Sequence, residues 1–111
     1  MYLKINKEQN ILIVGLNGEL DHHSAEEVRN KIDDRLDRDK IKTLILDFSG
    51  VTFMDSSGIG VVIGRYKKMS MRDGSLLIAS INNNVKKVFE LSGLFKIITA
   101  FDTVEEAFNN I

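Results

Sequence analysis

The residues best suited to chemistry in this chain of 111 residues lie in one segment, FMDSSGIGVVIG, at positions 53–64. Asp55, Ser56 and Ser57 precede an apolar run of helical character, and all three are good helix-capping types. Capping needs only one of these three side chains, so a neighbouring one remains exposed beside the cap. A hydroxyl there is suited to accept a phosphoryl group, because a helix N-terminus tolerates an added anion. The residues alone do not decide between Ser56 and Ser57.

Three glycines, Gly58, Gly60 and Gly64, interrupt the run that follows the serines. Each disfavours a helix by about 0.5–1 kcal/mol relative to alanine, so a compensating role is expected. Gly58 and Gly60 fall in the first helical turn, where missing side chains would let a partner protein approach the backbone. For Gly64, close packing of the helix on a sheet is an equally good explanation.

A phosphate on this segment is expected to act on a partner. Positions 49–64 contain no Lys or Arg, and the first cation, Arg65, lies about 13 Å along a helix from Ser56. No neighbour in sequence can therefore clamp the phosphate. Adding about −1.5 to −2 charges to a surface that a partner must cover would weaken binding. The segment predicts an on/off binding switch.

Enzyme and cofactor motifs are incomplete in this chain. A nucleophile elbow needs glycine two residues before the serine, but Met54 precedes Ser56 there. The glycines of 58–64 are spaced one residue too widely for a dinucleotide fingerprint, and the P-loop Gly-Lys-Ser/Thr is absent. Cysteine is absent and His22 and His23 are the only histidines, so no metal site is expected. We predict a protein without catalytic residues, metal or cofactor.

Composition indicates one globular domain over residues 1–111. Hydrophobic residues make up 43% and charged residues 28% of the chain, and the net charge is −1. There is no basic stripe for nucleic acid and no polybasic block for lipid. No apolar run reaches the roughly 18 residues of a membrane span, and the N-terminus lacks a signal-peptide core. We expect a soluble intracellular domain that binds neither nucleic acid nor membrane.

Strands and helices alternate along the chain. Hydrophobic periodicity predicts strands at 2–7 and 11–17, a helix from Ser24, a strand at 41–48, a loop at 49–57, a helix at about 57–70, a strand at 75–80, a helix at 83–93, a strand at 96–101 and a helix from Thr103. Ser24 and Glu27 fit a capping box, and Gly93 fits a helix C-terminus. The order β-β-α-β-α-β-α-β-α predicts an α/β fold with a mixed, mostly parallel β-sheet, because parallel neighbours need crossover helices.

Three segments closely resemble the STAS-domain anti-sigma factor antagonists of spore-forming bacteria. They are GELDHHSAEEV at 18–28, FMDSSGIGVVIGRYK at 53–67 and LSGLFKII at 91–98. The likeness runs essentially end to end and is nearest to the sporulation type, which acts on the first forespore-specific sigma factor. It implies the STAS fold, a small sheet with helices mainly on one face.

The resemblance also implies a mechanism and a cytoplasmic protein that is monomeric when free. In this family the unphosphorylated protein binds an ATP-bound anti-sigma factor that is also a serine kinase, and the sigma factor is released. The kinase phosphorylates the first serine of D-S-S-G, here Ser56, the complex dissociates, and a serine phosphatase restores the active form. Six residues correspond to the partner-binding surface or belong to the helix start beside it: Asp21, Asp55, Ser57, Gly58, Ile59 and Gly60.

Two alternatives remain open. One keeps the STAS domain but assigns it to a general stress pathway with a different kinase partner. The other is a nucleotide-binding or hydrolytic protein, which the incomplete motifs support poorly.

Overall fold

The computed structural model describes all 111 residues, Met1–Ile111, and its elements follow the predicted order. They are β1 (Tyr2–Glu8), β2 (Ile11–Leu20), α1 (Ala25–Arg38), β3 (Thr43–Met54), α2 (Ser56–Met71), β4 (Ser75–Ala79), α3 (Asn83–Ser92), β5 (Thr99–Phe101) and α4 (Val104–Phe108). A 3₁₀ turn at Leu94–Lys96 lies between α3 and β5. None of the helices has both the length and the apolar character needed to cross a bilayer.

The five strands form one mixed sheet in the spatial order β1-β2-β3-β4-β5. β1 runs antiparallel to β2, and every other neighbouring pair is parallel. Each parallel connection passes through a helix, as its geometry requires. The predicted α/β fold with a mostly parallel sheet is confirmed. The carboxyl ends of β2 to β5 share one border of the sheet, here called the carboxyl edge.

Three helices cover one face of the sheet, and α4 covers the other. Leu44 and Leu46 of β3 belong to the core under α1, α2 and α3, whereas Ile45 packs in a smaller cluster with Ala107 of α4. Successive strand residues face opposite sides. β3 therefore needs apolar residues on both faces, which explains its unbroken apolar run. The expected placement of helices mainly on one face is confirmed.

The predicted end of β2 at position 17 and the predicted loop at 49–57 are wrong. β2 continues to Leu20 and β3 continues to Met54, and these two residues are partners in the parallel register. Two register shifts interrupt the extension, and Gly18 lies within it at φ 118°, a conformation that favours glycine. The two strands satisfy each other's backbone groups beyond the end of β4, and this pairing was not visible in the local sequence pattern.

The predicted capping box at the start of α1 is also wrong. The Ser24 hydroxyl makes no side-chain cap to the helix and instead donates to the backbone oxygen of Glu19 at 2.7 Å. Glu27 forms an ion pair with Lys31 one turn further on. Asp21 accepts the Ser24 N–H, so the turn before α1 leaves Ser24 free to bond the end of β2.

Two other predicted helix ends are confirmed, and one strand begins later than predicted. Gly93 ends α3 with φ 77°, and the Thr103 hydroxyl caps α4. The strand predicted at 96–101 starts at Thr99, because the chain leaving Gly93 enters the 3₁₀ turn. There the N–H of Ile98 donates to the oxygen of Leu94 at 2.9 Å.

Ion pairs set the position of α2 against α1. Arg65 of α2 is buried, and its Nε lies 2.9 Å from the Asp33 carboxylate of α1. Lys68 and Arg72 both reach Asp37, at 3.1 and 2.7 Å. These contacts are spaced along α2, so they hold the helix that begins with Ser56 and Ser57.

Candidate functional site

Ser56 and Ser57 begin the first turn of α2, at the carboxyl edge of the sheet. Asp55 is the N-cap of α2, and Oδ1 of Asp55 accepts hydrogen bonds from the N–H groups of Ser57 at 2.8 Å and Gly58 at 3.4 Å. Of the three capping types that the sequence offered, the aspartate supplies the cap. The hydroxyls of both serines are therefore not needed to begin the helix.

The two serines differ in exposure. Ser56, the first residue of α2, is exposed, whereas Ser57 is half-buried. Of the two serines, Ser56 is therefore the one that the structure exposes at a helix N-terminus, the location that tolerates an added anion.

A turn at positions 21–24 lies beside this helix start. Oδ1 of Asp21 accepts from the N–H groups of His23 at 2.9 Å and Ser24 at 3.1 Å. Partial desolvation raises the pKa of Asp21, but these backbone hydrogen bonds favour the carboxylate, and the pKa lies below its ordinary value. Oδ2 of Asp55 accepts from the His22 N–H at 3.3 Å. Asp21 and Asp55, distant in sequence, therefore belong to one surface.

Gly58 and Gly60 have different surroundings, although the sequence suggested one role for both. Gly58 is buried, and a Cβ there would lie 2.6 Å from the Leu20 backbone oxygen and 2.6 Å from the Met54 side chain. The expectation that a partner approaches the backbone at Gly58 is wrong, because the end of β2 occupies that space. Gly60 is exposed, and a Cβ there would meet nothing within 4 Å.

Ile59 and Gly64 complete the segment. Ile59 is half-buried and packs against the main core, so only part of its side chain is available to a partner. A Cβ at Gly64 would meet nothing within 4 Å. Close helix-on-sheet packing therefore does not explain Gly64, and nothing else in the structure does.

Arg65, the first cation after the two serines in the sequence, is not free to bind a phosphate on Ser56. Arg65 is buried, and its Nε lies 2.9 Å from the Asp33 carboxylate of α1. Burial lowers the pKa of Arg65 while the Asp33 carboxylate opposes that shift. Arg65 therefore serves the contact between α1 and α2.

The sequence prediction missed Phe53. Its side chain is 51% exposed, and it lies near the end of β3, two residues before the cap of α2. It was overlooked because positions 49–57 were predicted as a loop. An aromatic residue within such a short segment before D-S-S-G was the available signal.

The helix start is not a pocket. The largest surface groove, of about 690 Å³, lies along β5 and is lined by Ile81, Lys86, Ile97 and Phe101, among others. No group of three or more His, Asp or Glu side chains is arranged to hold a metal ion. The arrangement around Ser56 can present a modifiable hydroxyl to another protein.

The relatives found by comparison with known proteins are named as anti-sigma factor antagonists. The chain is 34% identical over 111 residues to an anti-sigma F factor antagonist of Paenibacillus polymyxa, covering 100% of this chain and 95% of that protein. It is 29% identical over 94 residues to the anti-sigma-B factor antagonist of Bacillus subtilis, covering 85% of this chain and 84% of that protein.

Two solved structures of the anti-sigma factor antagonist SpoIIAA resemble this fold. The unphosphorylated form superimposes with a TM-score of 0.77 at 28% identity, covering 98% of this chain and 96% of that one. The phosphorylated form, a Bacillus cell fate determinant, gives a TM-score of 0.77 at 32% identity, covering 98% of each chain. The model of the STAS domain matches residues 2–107. The chain belongs to the STAS domain family.

Proposed function

We propose that this chain is an anti-sigma factor antagonist whose binding to an anti-sigma factor is switched off by phosphorylation of Ser56. One observation carries the proposal: Ser56 is exposed as the first residue of α2, while the side chain of Asp55 caps the helix. The names of the relatives and the existence of SpoIIAA in two phosphorylation states support it.

The charge of the phosphate supplies the switch. At neutral pH a phosphoserine adds about −1.5 to −2 charges, next to the carboxylate of Asp55. Arg65 is already paired with Asp33. A partner that covers Ser56 would bury this charge without compensation, at a cost of several kcal/mol, and about 1.4 kcal/mol is tenfold in affinity.

The proposed switch acts without a change of fold. The unphosphorylated and the phosphorylated form of SpoIIAA each share the overall fold of this chain, with a TM-score of 0.77 in both cases. The shared fold supports a switch that acts at the surface rather than by refolding.

The partner-binding surface in this proposal surrounds Ser56. Asp21, Asp55, Ser57, Ile59 and Gly60 are its members, and the Asp55–His22 hydrogen bond joins its two parts. Exposed Gly60 leaves the first turn of α2 open to close approach. Gly58 contributes indirectly, since its missing side chain seats α2 against the end of β2.

The proposed partners follow from the same function. An ATP-bound anti-sigma factor acts as serine kinase, and a serine phosphatase reverses the modification. The chain itself is their substrate and regulator rather than an enzyme, is monomeric when free, and uses neither nucleic acid nor membrane as a partner. Since sigma factors act in transcription, we place the protein in the cytoplasm.

A general-stress antagonist is the second candidate. The similarity to the anti-sigma-B factor antagonist of Bacillus subtilis supports it. We prefer the sporulation type, because the Paenibacillus polymyxa relative is more similar and matches the whole chain. Titrating the protein with purified anti-sigma F and anti-sigma B factors from its own organism separates the two candidates, since the cognate factor should bind more tightly.

Mass spectrometry after incubation with that anti-sigma factor and ATP tests the switch. We expect one phosphate on Ser56 of the wild type, one phosphate on the Ser57→Ala variant and none on Ser56→Ala. Purified phosphoprotein should bind the anti-sigma factor at least tenfold more weakly than the unmodified chain. Phosphate on Ser57, or equal binding of both forms, would contradict the proposal.

A further inference from the structure

We infer that Phe53 is an anchor by which the anti-sigma factor holds the unphosphorylated chain; this inference rests on the function proposed above. Phe53 exposes 51% of its surface. Aromatic side chains are enriched among the few residues that carry most of the affinity of protein interfaces. Phe53 is therefore the residue near Ser56 best suited to that role.

Phe53 lies close to Ser56 along the chain. Three residues separate their Cα atoms by at most about 11 Å. A standard interface buries about 800 Å² on each partner, which corresponds to a patch of roughly 16 Å radius. A patch of that size centred on Ser56 extends past the backbone of Phe53.

The backbone at Phe53 is held in place before any partner arrives. Phe53 lies in β3 as the register partner of Glu19, and the next pair along is Met54 with Leu20, both buried. Binding therefore has to order the side chain of Phe53 but not its backbone.

The fold has little use for an aromatic ring at this position. Val51 and Met54 supply the buried apolar surface of this end of β3, and neither core cluster includes Phe53. Neighbouring Thr52 is exposed, as expected for a strand end that faces water. About half of the surface of Phe53 remains in contact with solvent, and covering its apolar part would gain hydrophobic free energy.

Met71, which is also exposed and apolar, lacks this relation to Ser56. Met71 is 89% exposed but ends α2, which places it about 22 Å along the helix axis from Ser56. A partner of standard size centred on Ser56 would not reach it. Met71 therefore provides a matched control on the same helix.

The test is a calorimetric titration of unphosphorylated variants with the ATP-bound anti-sigma factor purified from the same organism. Phe53→Thr keeps a residue that favours strands but removes the ring, and it should bind at least tenfold more weakly than wild type. Phe53→Tyr, which keeps the ring, should bind more tightly than Phe53→Thr, and Met71→Ala should bind within about threefold of wild type. Thermal unfolding of each variant, measured in parallel, separates lost contacts from lost folding.

Hydroxyl-radical footprinting of the wild-type complex needs no substitution and covers the case in which Phe53→Thr does not fold. Oxidation of Phe53 should fall on binding, while that of Met71 should not. Equal affinity of folded Phe53→Thr, or undiminished oxidation of Phe53 in the complex, would overturn this inference alone if wild type still binds and phosphorylation still releases it. If wild type does not bind the anti-sigma factor, both the proposed function and this inference fail.

Discussion

Oδ2 of Asp55 accepts a hydrogen bond from the backbone N–H of His22 at 3.3 Å, across 33 positions of sequence. The other oxygen of the same carboxylate caps α2. One side chain thus joins the turn after β2 to the helix that carries Ser56. The surface proposed to bind the anti-sigma factor is a single unit because of this bridge.

Replacing Asp55 with alanine should lower the free energy of unfolding by about 1–2 kcal/mol, because a helix cap and a hydrogen bond between loops are both lost. Urea denaturation measures the effect. Asp34→Ala is the control, since Asp34 is exposed on α1 and its loss should change stability by less than about 0.5 kcal/mol. Equal effects of the two substitutions would contradict the bridging role of Asp55.

Gly58→Ala and Gly64→Ala should change stability in opposite directions. A methyl group at Gly58 would overlap the Leu20 backbone oxygen, so we expect a loss of about 1–3 kcal/mol. The same group at Gly64 meets open space, and the better helix propensity of alanine should add about 0.5–1 kcal/mol. Thermal or urea unfolding of the two variants checks both signs. An increase in stability for Gly58→Ala would show that the end of β2 leaves room for a side chain at position 58.

Removing Asp33 alone should lower the free energy of unfolding more than replacing both members of the Asp33–Arg65 ion pair. Asp33→Ala leaves the buried Arg65 guanidinium without its carboxylate; because Asp33 is itself partly exposed, the cost should be lower than the ~3–5 kcal/mol of a fully buried pair. The double variant Asp33→Ala/Arg65→Met places an apolar side chain in the same space and should recover much of that loss. Denaturant unfolding of both variants compares them. If the double variant is less stable than Asp33→Ala, the unpaired Arg65 charge does not destabilise the contact between α1 and α2.

Stability should depend on the ionisation of Asp21 in acid. Its folded pKa is depressed by backbone hydrogen bonds that outweigh desolvation, so below the unfolded value of about 3.9 the unfolded state binds more protons. The stabilisation is therefore present above about pH 4 and is lost as the pH falls through the folded pKa. Urea unfolding across this range should give a shallower decline for Asp21→Asn than for wild type. Identical declines would show that the turn at positions 21–24 does not favour the carboxylate.

Local residue patterns were sufficient to predict the element order and the class of fold. The unbroken apolar run at Leu44–Leu46 indicated a strand buried on both faces, and the structure places core on both sides of it. Gly93 and Thr103 marked helix ends correctly, because capping depends on residues within one turn. The serine segment was located on the same basis.

Predictions failed where residues outside the interpreted segment decide the outcome. The loop expected at 49–57 is largely strand because β2 pairs with it as far as Leu20. The Ser24 hydroxyl bonds Glu19 rather than its own helix. Gly58 was expected to be open to a partner, yet the end of β2 fills that space. In each case the competing contact comes from outside the segment that was interpreted.

The sequence by itself determined that Asp55, Ser56 and Ser57 stand at the start of a helix, since caps and hydrophobic periodicity are local properties. Only the tertiary structure decided which of these residues is the cap, which hydroxyl faces solvent and which glycine is enclosed. Those outcomes depend on where β2 ends and how the turn after it meets α2. Such contacts join residues more than thirty positions apart, and no local pattern records them.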